Sequence, residues 1–334
     1  MPKCLIHLTA LTACILIGSG CAAIDNHAAN TKTANTEAAN TEALNTEAAN
    51  SEGPAVAADV RKSTVQVEFA PGFFDLPRAS FDKWIANAEK AVTTYYGHFP
   101  VRSLLIKIRP DKGENIGFAT ADYEGKTAVI ELPVGTHIQS STLEKDWVLT
   151  HEMTHLAFPL MDDEHRWVAE GMATYIEPIA RLQIHTLPPE KIWKDLIDNL
   201  DQGQPQSGDK GLNNTHTWGR TYWGGALFCL LADIQLRKET HNKFGLQDAV
   251  RAILNDGGNV ASDWTVEEAL ASGDKATGTK VLQSLYGQMK DKPVKVDLDN
   301  LWSELGAEEL GDRVIFDDNA PFAAIRLAIN KGHI

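Results

Sequence analysis

Leu149 to Phe158 reads LTHEMTHLAF, an apolar run with two histidines four residues apart and a glutamate directly after the first. On an α-helix, positions i and i+4 lie on one face, one turn apart. His151 and His155 can therefore aim their ring nitrogens at a common point about 2 Å from each. The helical step turns Glu152 by roughly 100° from His151. That offset is wrong for a co-ligand, but it leaves the carboxylate in reach of a water held on a metal. The pattern H-E-x-x-H therefore suits zinc-assisted hydrolysis, with two neutral imidazoles as ligands and the carboxylate as proton acceptor. An ordinary core helix would not place an unpartnered carboxylate among Val148, Leu149, Leu156 and Phe158, because a buried charge without a partner is costly.

A catalytic zinc site takes three protein ligands and leaves a fourth position open. The segment WVAEGMATY supplies a third candidate, Glu170, fifteen positions after His155. A helix, a turn at PLMDDEH and a second helix would bring Glu170 against the histidine face. Two histidines and a carboxylate fit a catalytic zinc site better than a closed structural one, which prefers cysteine. Thr174, one turn after Glu170, is a candidate to hydrogen-bond a ligand, or else to bond its own backbone. His165 and Glu177 read as solvent-facing.

His151-Glu152-Met153-Thr154-His155 together with Trp167-Val168-Ala169-Glu170-Gly171 resembles the gluzincin metallopeptidases, whose third zinc ligand is such a glutamate. TYWGGALFCLLADIQLRK is similar to the Tyr-x-Lys-Gly-Ala helix opening of the aminopeptidase N and glycyl aminopeptidase families, with Gly224 in place of the lysine. The resemblance spans about residues 100 to 290. It implies a thermolysin-like fold, one zinc ion on His151, His155 and Glu170, Glu152 as general base, and Tyr222 as the donor to the oxyanion. A phenol can make that donation, although an aromatic anchor at a helix start is an equally familiar role. His216, in NNTHTWGR, is the rival donor. The Gly-x-Met-Glu-Asn motif by which aminopeptidase N relatives grip a free amino terminus is absent, so endo- and exopeptidase action both stay open.

The beginning of the chain reads differently. MPKCLIHLTALTACILIGSGC has a lysine, an apolar run and small residues before Cys21, the order of a secretory signal. LIGSGC resembles a bacterial lipobox, which makes residues 1–20 a lipoprotein signal and Cys21 the lipidated first residue of the mature chain. An ordinary cleaved signal is the alternative. Ala22 in place of aspartate after Cys21 resembles outer-membrane sorting, with the protein facing the periplasm. Residues 21–60 repeat Ala-Asn-Thr-Glu-Ala with few large apolar side chains, too little burial to offset ordering entropy, and read as a tether. Beyond the signal and Cys21, only Cys229 remains, so no disulfide framework is possible. Cys229 reads as a core residue.

Residues 61–334 read as one α+β catalytic domain, with a small N-terminal mixed sheet and helices to about 185 and a mostly helical part after it. STVQVEF and SLLIKIRP read as strands, the second stopped by Pro110. GFATADYEGKTAVIELP reads as a hairpin turning at Glu124-Gly125, and either Gly117–Asp122 or TAVIEL is the edge on which an extended peptide could lie. Ser141 and Glu144 form a capping box for a helix running to Phe158, and Pro178 is expected to kink or end the next helix. A formal net charge of −14 with no basic patch argues against nucleic acid as a partner. The expectation is a zinc peptidase that acts on peptide or protein and is held to a membrane by lipid. The alternative is an inactive gluzincin scaffold that keeps zinc and binds an envelope partner. No feature sets an oligomeric state.

Overall fold

The structure, a computed structural model, describes residues 63–332. The signal, Cys21 and the tether up to residue 62 lie outside the described residues.

Four strands form a mixed sheet in the order β1-β2-β4-β3. β1 (Thr64–Phe69) and β2 (Ser103–Asp111) pair in parallel, β2 and β4 (Thr127–Gly135) pair in parallel, and β3 (Thr120–Glu124) runs antiparallel on β4. β2 continues through Pro110, which aligns with Val134 of β4. Proline lacks only the donor of one ladder bond and keeps its acceptor, and the strand ends at Asp111, one residue past the expected stop. The hairpin turns where expected, with Gly125 at φ 64°, a conformation glycine takes without steric cost. Of the two candidate edges, β3 is the free one, and TAVIEL lies inside the sheet as part of β4.

Alternation decides the buried face of the sheet. Leu104, Ile106 and Ile108 of β2 and Ala128, Ile130, Leu132 and Val134 of β4 are all buried. They share one core with Phe81, Ile85, Ala88 and Val92 of α1 (Arg78–Tyr96).

The helix expected from Ser141 to Phe158 is two helices, α2 (Ser140–Lys145) and α3 (Val148–His155). The Ser141–Glu144 capping box does not form. Asp146 caps instead: extended at the break, it accepts hydrogen bonds from the backbone N–H of Val148 (3.0 Å) and Leu149 (3.1 Å), and from Trp84 Nε1 (2.9 Å). A side-chain acceptor at this position satisfies the unpaired donors of a first helical turn, and here it fixes the start of the helix that carries His151.

α4 (Arg166–Gln183) runs unbroken past Pro178. One missing donor inside a long helix clamped by its neighbours is tolerated, where the same proline in an isolated helix would end it. After α5 (Pro189–Asn199), a π-helical turn over Arg220–Gly224 leads into α6 (Gly225–Glu239), whose Cys229 is buried. Gly171 of α4 and Gly225 meet backbone to backbone. A Cβ on Gly171 would overlap the Gly225 backbone, and one on Gly225 would overlap the Trp167 carbonyl. α7 (Leu246–Asn255), α8 (Val266–Thr277), α9 (Val281–Met289), α10 (Leu298–Leu305) and α11 (Ala323–Lys331) complete the helical part, with a two-stranded ribbon of β5 (Ala307–Leu310) and β6 (Arg313–Phe316). The observed class is α+β, with a small N-terminal sheet followed by a mostly helical remainder.

Candidate active site

α3 and α4 bring His151, His155 and Glu170 together. Glu170 Oε2 lies 3.3 Å from His151 Nε2 and 3.4 Å from His155 Nε2. The two imidazoles stand nearly perpendicular, with centroids 4.9 Å apart. Among the described residues this is the one group of three such side chains whose ligand atoms could hold a metal, all within 4.8 Å of one another. A tetrahedral ion with bonds of about 2.0–2.1 Å spaces its ligand atoms about 3.3–3.4 Å apart, which is the spacing of the glutamate from each imidazole. The donor set of two nitrogens and one carboxylate, with His151 and Glu170 buried and His155 half-buried, therefore fits zinc with three protein ligands.

Burial raises the pKa of the Glu170 carboxyl, and hydrogen bonds to His151 and His155 outweigh it, holding the group well below the usual carboxylate range. Glu152, on the same helix as the histidines, is buried. Desolvation pushes its carboxyl upward against the pull of the two imidazoles, and the negative charges of Glu170 and Asp122 add to the rise.

Tyr222 sits on the π turn, a local widening often found at functional positions. Its ring lies along that of His151, with centroids 6.4 Å apart and planes 25° from parallel. The charges of Glu170 and Arg166 both act on its hydroxyl. Burial and the neighbouring Glu170 push the phenol well above its ordinary range, so it stays a donor. The close approach of Gly171 to Gly225 sets Tyr222 opposite Glu170. Gly224, where the resembled families carry lysine, faces Leu212, Arg220 and the Gly203 carbonyl, with no room for a long side chain.

Several residues read otherwise than expected. Glu177 is buried and not solvent-facing: Arg181, one turn on, donates to it at 2.8 Å. Arg181 also acts on the half-buried Asp146 carboxyl, and His151 acts on Glu177. His165 is half-buried and held by Asp162 at 2.8 Å. The Thr174 hydroxyl is buried without a hydrogen bond and touches no ligand atom. His216 is exposed and has no hydrogen bond or ion pair to the site.

Arg166 was not anticipated. Its Nε lies 3.3 Å from Glu170 Oε1, so the two carboxylate oxygens have separate duties, one toward the guanidinium and one toward the imidazoles. It stands four residues before Glu170 on one helix, a spacing that juxtaposes opposite charges and could have revealed it.

No protein-family profile matches the sequence, and no curated protein matches it. Solved structures do. An aminopeptidase N family protein from Idiomarina loihiensis superposes with a TM-score of 0.54 at 13% identity, over 73% of this chain and 47% of that one. The two share a fold. An M1 zinc metallopeptidase from Deinococcus radiodurans superposes at 0.45 and 13% identity, over 71% of this chain and 49% of that one. The chain thus spans about half the length of the solved structures it matches.

Proposed function

We propose that this chain is a zinc-dependent peptidase with a gluzincin, thermolysin-like catalytic arrangement. The observation that carries the reading is the convergence of Glu170 from one helix on the Nε2 atoms of His151 and His155 from another. The fold shared with an aminopeptidase N family protein supports a peptide as substrate.

His151, His155 and Glu170 would hold one zinc ion. When bound, zinc supplies Lewis acidity toward a carbonyl oxygen and makes water acidic enough to lose a proton near neutral pH. Glu152 accepts a proton from the attacking water and returns it to the leaving amine. Its raised carboxyl suits a group that must hold a proton between the two events. Tyr222 donates its hydroxyl to the oxygen that gains charge during attack. Arg166 holds the outer oxygen of Glu170 and so orients that carboxylate. The free edge of β3 offers backbone groups on which an extended peptide can pair. The absent lysine does not argue for an inactive scaffold, because position 224 faces the Leu212 and Arg220 side chains and the Gly203 carbonyl, where a long side chain would not fit.

Digestion of a peptide library by the soluble domain, with mass readout of the cuts, tests the proposal. Cleavage abolished by chelation and restored by zinc supports it; no cleavage by zinc-loaded protein refutes it. Tyr222→Phe should keep zinc and lower kcat by about 10²–10³, the usual effect of deleting one oxyanion donor. An unchanged kcat would remove Tyr222 from the mechanism.

The lipid anchor on Cys21 belongs to the same proposal and rests on LIGSGC and the repeats that follow it. It would hold the domain at a bacterial envelope membrane, facing the periplasm. The full chain should fractionate with membranes, and a Cys21→Ala variant that still does so would rule the anchor out.

A further inference from the structure

Two of the large apolar side chains exposed among the described residues stand at the candidate site. Trp147, directly before α3, is 49% exposed, and Trp218, just before the π turn, is 38% exposed. Neither is stranded on bare surface. The Trp147 ring meets the His151 imidazole edge-on at 5.4 Å, with planes 85° apart. The Trp218 ring stacks on Tyr222 at 5.6 Å, with planes 26° apart. Tyr222 in turn lies along His151. Trp147, His151, Tyr222 and Trp218 therefore form one continuous file of rings. Its middle is a candidate zinc ligand and the candidate oxyanion donor, and its two ends are indoles open to solvent.

An indole with an apolar body and a polar N–H is a side-chain type enriched where proteins bind partners. Among the described residues no partner bonds either indole N–H, whereas those of Trp84, Trp167 and Trp193 are bonded, so each ring offers a flat apolar wall and a donor beside the reacting centre. A peptide extended along the free edge of β3 sends successive side chains to opposite sides. The two residues that flank a cut bond would then face different walls. The walls themselves carry no charge.

We propose that Trp147 and Trp218 are specificity-determining residues that select peptides with an aromatic or large aliphatic side chain on each of the two residues flanking the cut bond. The inference rests on the peptidase reading and deepens it by naming the class of substrate.

Paired hexapeptides that differ only in carrying Phe or Ser at both flanking positions test it. Zinc-loaded protein should cleave the Phe member with a kcat/KM at least about 10-fold higher, the scale on which an apolar pocket discriminates. Trp147→Ala and Trp218→Ala should each shrink that ratio several-fold, and Trp147→Phe and Trp218→Phe should restore it. Zinc content of every variant separates lost selectivity from a disturbed metal site. Calorimetric binding of the same pair to zinc-loaded Glu152→Gln protein provides a readout independent of turnover. Preferential binding of the Phe peptide with no cleavage by the parent protein would uphold the aromatic walls and refute the peptidase reading. Cleavage with equal ratios for both peptides, or a ratio indifferent to both alanine variants, would uphold the peptidase reading and overturn the walls.

Discussion

Glu152→Gln protein is expected to retain zinc and to lose about 10²–10⁴ in kcat, the range a positioned proton acceptor contributes. The substitution keeps shape and volume, so the packing of α3 should persist. It removes the ability to take up a proton. The carboxyl is suited to that task by its surroundings: it is buried, it shares its helix with His151 and His155, and burial together with Glu170 and Asp122 raises its proton affinity. Glutamine in its place also removes a buried negative charge, so the variant should be at least as stable as the parent when metal-free. Metal content by mass spectrometry and kcat on a cleaved peptide give the two readings needed. Parent-like turnover would dismiss Glu152 as the base. Loss of zinc along with turnover would show that the residue supports the metal site itself.

His155→Ala should abolish zinc-dependent turnover and weaken zinc binding by more than about 100-fold. Removing even an outer partner of a zinc ligand typically costs 10- to 100-fold in affinity, so removing a ligand should exceed that. The geometry gives the reason. Glu170 Oε2 stands 3.4 Å from His155 Nε2 and 3.3 Å from His151 Nε2, and deleting one imidazole leaves two donors where a catalytic site uses three. Far-ultraviolet circular dichroism should be unchanged, since α3 and α4 are packed into the core by Leu149, Met153, Trp167, Val168 and Met172. Competition with a chromophoric chelator measures the affinity. A variant that binds zinc within tenfold of the parent would exclude His155 as a ligand.

How much of this was legible before the structure depends on the range of each interaction. The helix of His151 and His155, the helix of Glu170, the β3–β4 hairpin and the ribbon strand RVIF all follow from local periodicity or turn chemistry, and each is present. Arg166 obeyed the same helical spacing and could have been read from it. Asp146 could not: Ser141 and Glu144 made the better local cap, and Asp146 prevails because Trp84, from a helix sixty residues earlier, also binds its carboxylate. Pro178 looked like a break because an isolated helix would end there, and packed neighbours carry the helix through to Gln183, whereas β2 does end one residue past Pro110. Glu177 looked exposed because it is charged, until Arg181 and the core closed over it.

By itself, the sequence determined which atoms could meet within a helix: two imidazoles on one face with a carboxylate one step round, and a further carboxylate on a helix of its own. Those relations span four residues or fewer and need only backbone hydrogen bonds. Tertiary structure alone decided that Glu170 points its inner oxygen at both imidazoles and its outer one at Arg166, that β3 and not TAVIEL is the free edge beside them, and that the π turn lays Tyr222 along His151 with Trp218 beyond it. Each of those depends on segments tens of residues apart being pressed together, above all where Gly171 and Gly225 meet without a side chain between them. That contact is a property of two surfaces at once, and neither segment encodes it alone.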